Sequence, residues 1–353
     1  MRHGAHSTPA LCVTISAVAI SPPARRTTNR LQRFPRSRQG VATAEVLPGT
    51  SAGSPHTPIM LAEVLRCLQP RPGDVVVDAT LGGGGHAQAL LARIAPSGTL
   101  LGFDVDGAEL ARTAERLSRL DIGGARLVTR HASFADLPES LRESGLPPAN
   151  AILVDLGVSS MQMDDPARGL SYKAVGPLDL RLDLTRGEPA SAWLARQDAE
   201  SLARVLREHA DEPHAMFIAA RLIETRVTTT HALERVVRTG LMEAHPDLAL
   251  ADAKLSVRRT LQALRIAVND EFTALDRLLD ALPGCLAPGG RVAILTVHSG
   301  EDRRVKQAFR EGRRRGEYGA AAREVIRSTM EETRANRRAS SAKLRWAVRA
   351  GRP

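Results

Sequence analysis

Gly73-Asp74-Val75-Val76-Val77 followed by Asp78-Ala79-Thr80-Leu81-Gly82-Gly83-Gly84-Gly85-His86-Ala87 is the stretch whose reading decides the fold. The β-branched run between a Pro/Gly turn and a glycine loop predicts a short buried strand ending at Asp78. Ala87-Gln88-Ala89-Leu90-Leu91-Ala92-Arg93 then has helical composition. Strand, four glycines and helix is a layout in which backbone approaches a ligand closely. Glycine has no Cβ to hold the ligand off, and a helix start offers unpaired N–H donors. Two cofactors fit such a loop. Gly82-x-Gly84-x-x-Ala87, with Asp104 about 20 residues further on, matches the dinucleotide fingerprint. The same spacing suits S-adenosylmethionine (SAM), with an acid at the end of the next strand taking the ribose hydroxyls. Asp78 favours SAM, because a carboxylate at the mouth of the loop repels a pyrophosphate but tolerates an aminoacyl, sulfonium-bearing ligand.

Outward from the loop the pattern repeats. Gly98–Asp106 reads as a second strand ending in two acids, and Ala108–Leu120 as a helix. Arg126–His131 is a third strand followed by a loop through Phe134, and Ala151–Asp155 a fourth strand, again ending in an acid. Strands alternating with helices, with functional side chains at the strands' carboxyl ends, predict a parallel, doubly wound sheet. Upstream, His56–Leu65 is a Pro-started amphipathic helix. The strand pattern stops over 165–258, where helical runs (Ala192–Ala195, Asp198–Glu208, His214–Thr225, Leu233–Arg238) alternate with Pro, Gly and Thr clusters, so an inserted helical subdomain is expected. Leu261–Leu282 then reads as one long helix. Ala287–Gly290 is a turn into the strand Arg291–Val297, which is followed by His298, a basic helix and linker over Arg304–Arg327, and a closing strand at Ala342–Val348.

With 353 residues, 43% hydrophobic, the chain can bury a large core. Cys12, Cys67 and Cys285 form neither a metal pattern nor a disulfide framework, which suits a reducing compartment, and no apolar run reaches the length of a membrane span. The net charge of +10 sits at the ends. Residues 1–44 hold seven Arg and no acid, residues 303–353 hold sixteen Lys/Arg against five acids, and the middle is left at −8. Basic ends suit a polyanionic partner. Residues 1–54 lack core-forming pattern and are expected to be a disordered basic extension: a transit peptide, a poor secretory signal or sequence upstream of the true start.

The most specific stretch is Asp155-Leu156-Gly157-Val158-Ser159-Ser160-Met161-Gln162-Met163-Asp164. Together with Arg168–Tyr172, Gly176–Asp183, His56–Ile59, Asp78–His86, Gln262–Asn269, Val297–Ser299 and Ser341–Arg345, it resembles the RsmH (MraW) family of bacterial small-subunit rRNA cytidine N4-methyltransferases, in order over residues 56–348. The resemblance implies a Rossmann-like, class I SAM-dependent methyltransferase fold with its catalytic domain in 55–164 and 259–353 and a substrate-recognising helical insert in 165–258. It implies a cytoplasmic enzyme (organellar import being the alternative raised by the Arg/Ser-rich start), with 16S rRNA of the small subunit as partner and no membrane. The implied SAM contacts are Gly84, Gly85, His86, Asp104, Phe134, Asp155 and Gln162. Glycine N–H groups would face the methionine carboxylate, Asp104 the ribose diol, and Phe134 the adenine; Phe134 as ordinary core and His86 as a helix-start residue are the alternatives. Asp155 and His298 are the catalytic candidates, Asp155 as acceptor for the amino group and His298 at the last strand's end; fixing the Ser299–Arg303 turn is the other reading of His298.

Two motifs depart from the family. The usual Ser-Phe-His-Ser-Leu-Glu-Asp is Thr296-Val297-His298-Ser299-Gly300-Glu301-Asp302 here, and Arg-Gly-Phe-Ser-Phe is Arg168-Gly169-Leu170-Ser171-Tyr172, which removes two possible base-stacking rings. Two rival functions remain at this level: a nicotinamide-dependent dehydrogenase on a similar sheet, and a non-catalytic RNA-binding protein on the same scaffold. Removing residues 1–54 is expected to leave the melting temperature and SAM affinity nearly unchanged; a fall of many degrees in a thermal scan would show that the extension packs on the folded body.

Overall fold

A computed structural model describes residues 58–351. The basic extension expected over 1–54 lies outside the described residues, as do His56 and Thr57. The chain runs α1 (Leu61–Leu68), β1 (Val75–Asp78), α2 (Gly85–Ile94), β2 (Thr99–Asp104), α3 (Gly107–Ser118), β3 (Arg126–His131), α4 (Leu137–Glu143), β4 (Ala149–Asp155) and α5 (Ser160–Asp164). Five helices follow without a named strand: α6 (Ala190–Ala195), α7 (Ala199–Ala210), α8 (Ala215–Thr225), α9 (Thr230–Ala244) and α10 (Leu250–Asn269). The rest is α11 (Glu271–Cys285), β5 (Leu286–Thr296), α12 (Ser299–Arg314), β6 (Tyr318–Ala321), β7 (Ile326–Arg327), α13 (Met330–Ala335) and β8 (Lys343–Arg349).

The sheet order is β3-β2-β1-β4-β5-β8-β6, with β7 beside β8. Pairing is parallel from β3 through β5 and antiparallel from β5 to β8 and from β8 to β6. The expected parallel sheet is therefore a mixed one, in which β8 runs against its neighbours and β6 and β7 lie outside it. Its inner strands are buried on both faces. On β4, Ile152 and Val154 join Val77, Phe103 and Ile294 under α11 and α12, while Ala151 and Leu153 join Val76, Leu100 and Leu295 under α1 and α2. Continuous apolar runs such as Val75-Val76-Val77 and Ala151-Ile152-Leu153-Val154 are what two-sided burial requires. The chain moves outward from β1 to β2 and β3, then returns to β4 on the other side of β1. That reversal opens a crevice at the carboxyl ends of β1 and β4.

Three expected boundaries come out differently. The helix expected over Leu261–Leu282 is two helices, broken at Asp270, whose φ of +50° is the left-handed conformation that Asp and Asn tolerate best. Asn269 uses the break: its Oδ1 accepts from Leu182 N at 2.7 Å and its Nδ2 donates to Leu180 O at 2.8 Å. The Ala287–Gly290 turn is a bulge inside β5, where pairing with β4 jumps from Ala149–Leu286 to Ala151–Arg291. The boundary drawn between 258 and 259 falls inside α10, whose buried Val257, Leu261 and Leu264 continue one apolar stripe into the core shared with α6–α9. Among the described residues no helix is long and apolar enough to cross a membrane.

Asp106 ties these parts together. Its Oδ1 caps α3 by accepting from Ala108 N and Glu109 N at 3.1 and 3.0 Å. Its Oδ2 accepts from Gln162 Nε2 at 3.1 Å and Arg168 Nη1 at 2.6 Å. Arg168 in turn donates to Leu182 O at 2.6 Å, and both side chains of the pair are under 10% exposed. Asp106→Ala leaves a buried guanidinium without its carboxylate and is expected to cost about 3–5 kcal/mol of stability. Denaturant unfolding checks this, and an unshifted midpoint would show that the pair contributes nothing.

Candidate active site

The glycine loop is laced to its surroundings by its own backbone. Leu81 N donates to Phe103 O at 2.6 Å, and Gly82 N to Asp104 Oδ2 at 2.7 Å. From α3, Thr113 Oγ1 donates to Gly82 O and Arg116 Nη2 to Gly83 O, both at 2.6 Å. Gly84 caps α2 with φ +71°, and a Cβ there would lie 2.7 Å from Thr113 Cγ2 and 2.9 Å from Arg116 Nη2, so both strain and crowding demand glycine. A Cβ on Gly83 would meet nothing within 4 Å. The loop is thus packed behind and open in front, onto a cleft of about 870 Å³. That volume lies at the upper end of what small-molecule sites enclose.

Gly84, Gly85, His86, Asp104, Phe134, Asp155 and Gln162 all line this one cleft. Asp104 is held at the end of β2 with each carboxylate oxygen already accepting a backbone N–H, from Gly82 and Asp106. Phe134 is half-buried on a single 3₁₀ turn capped by Ser133. Gln162 also has a structural task. Its Oε1 accepts from Ser159 N at 3.0 Å while Ser159 Oγ accepts from Gln162 N, a reciprocal box at the start of α5. His86 Nε2 lies 3.0 Å from Ile59 O, which places its proton on that nitrogen and turns the Nδ1 lone pair toward Asp155 Oδ2, 3.7 Å away. Burial lowers the His86 pKa and keeps the ring neutral.

Asp155 ends β4 with its backbone N–H given to Thr80 Oγ1 at 2.7 Å, which sets the strand end against the glycine loop. Among the described residues its carboxylate accepts no hydrogen bond, and 32% of the side chain is open to the cleft. Burial, reinforced by the charge of Glu301, pushes this carboxyl up to about 7. The open face admits water, so the push is strongest when a ligand covers that face. Beneath the loop, Asp78 is almost fully buried; burial raises its carboxyl to about 6 against the opposing pull of His86, and its Oδ2 has no hydrogen-bond partner among the described residues. Burial also raises Asp104 and Glu109, and Glu109 Oε1 is a second unpaired buried acceptor.

His298 is not brought into the cleft. It caps α12, with Nε2 3.0 Å from Glu301 Oε1 and its ring against Phe272, so it fixes the turn after β5. Its partner Glu301 does line the cleft, accepting from Val297 N at 2.9 Å. Burial pushes Glu301 upward, but His298 and that N–H outweigh it and hold the carboxyl below its ordinary value. Sequence reasoning missed Glu301, Glu109 and the Arg265–Glu271 pair. His298-x-x-Glu301 has capping-box spacing and was legible as such. Arg265 and Glu271, joined by two bonds of 2.7 and 2.9 Å, meet only because the helix breaks between them.

The MraW methylase family is matched over residues 53–350. The chain belongs to the MraW methylase family. Ribosomal RNA small subunit methyltransferase H 2 of Alkaliphilus metalliredigens is 43% identical over 315 residues, covering 88% of this chain and 90% of that protein. Ribosomal RNA small subunit methyltransferase H 1 of Lachnoclostridium phytofermentans is 39% identical over 324 residues, with 90% and 88% covered. Ribosomal RNA small subunit methyltransferase H of Syntrophotalea carbinolica is 38% identical over 309 residues, with 82% and 96% covered.

The methylase's cleft fits SAM on its own donor set. Glu109, which lines the cleft, has an unpaired oxygen suited to an ammonium or hydroxyls, and the first N–H groups of α2 suit a carboxylate. Asp104→Ala is expected to weaken SAM binding by about 1.5–3 kcal/mol, since it removes a charged acceptor and frees the Gly82 N–H that shapes the loop. Calorimetry measures it; unaltered affinity in a folded variant would remove Asp104 from the cofactor site.

Proposed function

We propose that this methylase transfers a methyl group from SAM to N4 of a cytidine in the decoding region of small-subunit 16S rRNA. The reading rests on Asp155, an unengaged carboxylate at the end of β4, beside the glycine loop and inside a cleft large enough for cofactor and nucleoside together. SAM, when bound, supplies a methyl group already activated by its sulfonium. The chain's task is then placement. The glycine loop and the start of α2 hold the methionine carboxylate, Asp104 the ribose diol, and Phe134 gives the adenine an apolar face. Gln162 braces the loop around them. Asp155 accepts a hydrogen bond from the cytidine amino group, which localises a nitrogen lone pair otherwise delocalised into the ring, and takes the proton that N4 sheds. His298 acts at one remove, by positioning Glu301.

A nicotinamide dinucleotide is disfavoured by the same carboxylates. Asp104, Glu109, Asp155 and Glu301 face the cleft, where a pyrophosphate would meet like charge. The helical segment and the basic C-terminal stretch supply the grip on RNA, whose affinity is therefore salt-sensitive. Such an enzyme works in the cytoplasm, where ribosomal subunits assemble.

Assembled or nearly assembled small subunits are expected to accept methyl far better than free cytidine or a short oligonucleotide. Methyl incorporation from labelled SAM, followed by nucleoside mass spectrometry, checks this; label on another base, on ribose or on protein would overturn the assignment. The pH dependence follows from Asp155. A carboxyl raised toward 7 stays protonated, and so cannot accept, until the pH climbs through that value. Turnover is therefore expected to rise with pH and level off above about 7. Asp155→Ala should lower turnover by orders of magnitude with subunit binding largely kept, and lose the acid limb. Full turnover in that variant would sink the mechanism.

A further inference from the structure

Away from the cleft, the helical segment holds a second cavity of about 490 Å³ at the start of α9. Tyr172 and Thr229 form one side; His231, Glu234, Arg235 and Arg238 of α9 form the other. The spacing of these four puts them on one helix face, beside the stripe that buries Leu233, Val237 and Leu241. Arg238 Nε donates to Glu234 Oε1 at 2.5 Å, so that carboxylate is already neutralised. Arg235 is exposed and, among the described residues, has neither an ion pair nor a side-chain hydrogen bond; the same holds for His231. The cavity therefore offers a free guanidinium, a free imidazole and the half-buried ring of Tyr172.

Its walls are fixed rather than fluid. Thr230 is fully buried and clasps the Tyr172 loop: its N–H donates to Gly176 O at 3.1 Å, its hydroxyl donates to Ala174 O at 3.1 Å, and Leu178 N donates to Thr228 O at 2.9 Å. A Cβ on Gly176 would lie 2.0 Å from Pro166 O, so this loop also lies flat against the segment that follows α5. Four residues before Tyr172, Arg168 is bonded to Asp106 at the edge of the cleft. One braced run of chain thus joins the cleft to the cavity.

We propose that this cavity is a second nucleotide site, which takes one nucleotide of the small-subunit RNA with its base on Tyr172 and its phosphate on Arg235, at a set separation from the base in the cleft. An aromatic face beside an unpaired guanidinium suits a nucleotide, since every base has a face to stack and every phosphate accepts from arginine's fork. A free phosphate would leave the ring unused. The inference rests on the RNA methylation proposed above and adds to it where the RNA is read.

The test compares wild type with Arg235→Glu and Tyr172→Leu on unmethylated small subunits, with Arg71→Glu on the exposed loop before β1 as an equal change of charge elsewhere. Arg235→Glu is expected to raise KM for subunits about tenfold and to lower the slope of log KM against log salt by about 1, the mark of one lost phosphate contact. Its kcat and its SAM affinity should match wild type. Tyr172→Leu should raise KM and leave the salt slope alone; if it fails to fold, Arg235→Glu carries the test from its exposed position. Ultraviolet crosslinking of wild type on the subunit should join Tyr172 or the α9 peptide to RNA. Equal behaviour of Arg235→Glu and Arg71→Glu, or crosslinks from α9 to a ribosomal protein instead, would overturn the site. Absence of subunit methylation by wild type would instead fail the function itself, and this inference with it.

Discussion

The Asp106 carboxylate accepts from four donors on three separate stretches of chain: the start of α3, Gln162 on α5, and Arg168 beyond it. Burial alone would push this acid upward, but the hydrogen bonds and the arginine charge outweigh it and hold it ionised. Everything that shapes the cleft passes through that point. The helix it caps carries Thr113 and Arg116, which hold the glycine loop from behind. The glutamine it accepts from completes the capping box at the start of α5, and Ser159 of the same box donates to Glu109 at 2.9 Å. The arginine reaches Arg181 O and Leu182 O, and Leu182 N is taken by Asn269 at the end of α10. A single buried ion pair so connects the sheet with the helices. Its desolvation is offset by the four donors to Asp106 and by the acceptors of both Arg168 Nη atoms, although Arg168 Nε has no partner among the described residues.

The fold was legible wherever burial is two-sided and local. Val75–Asp78 and the acid-ended strand at Asp155 stand almost where their apolar runs placed them, because strands covered on both faces need uninterrupted apolar residues. The break at Asp270 was not legible. Leu261–Leu282 keeps helical periodicity across it, and the interactions that favour the break come from Leu180 and Leu182, about ninety positions away in the chain. The same limit hid the extent of α10, whose apolar stripe serves a core assembled from distant helices.

The site divides in a similar way. Gly84, Gly85, His86, Asp104, Phe134, Asp155 and Gln162 converge because they sit at strand ends and on the segments just after them, a placement that strand order alone dictates. His298 shows where that reasoning stops. Residence at the end of a strand does not say which way a side chain turns, and here the ring turns to Glu301 and Phe272. Glu301, three residues on, occupies the cleft in its place.

Charge sorting within the chain bears on how a base reaches the methyl group. The cleft is floored by carboxylates, yet the proposed substrate is a polyanion. Exposed cations stand at the margins instead: Arg112 and Arg338 line the cleft's rim, and Arg334 and Arg337 lie on the same C-terminal segment as Arg338. That segment is held down by Met60 N to Glu332 at 2.6 Å and by Arg338 to Asp164 at 3.1 Å. An acidic floor under a basic rim rejects phosphate and admits an amino-bearing base, so a nucleotide can enter only base first, with its backbone left outside. Under the proposed function, the carboxylates offered to the cofactor's cation would also enforce the extrusion of the base, and the cations of rim and helices would hold the strand from which it is drawn.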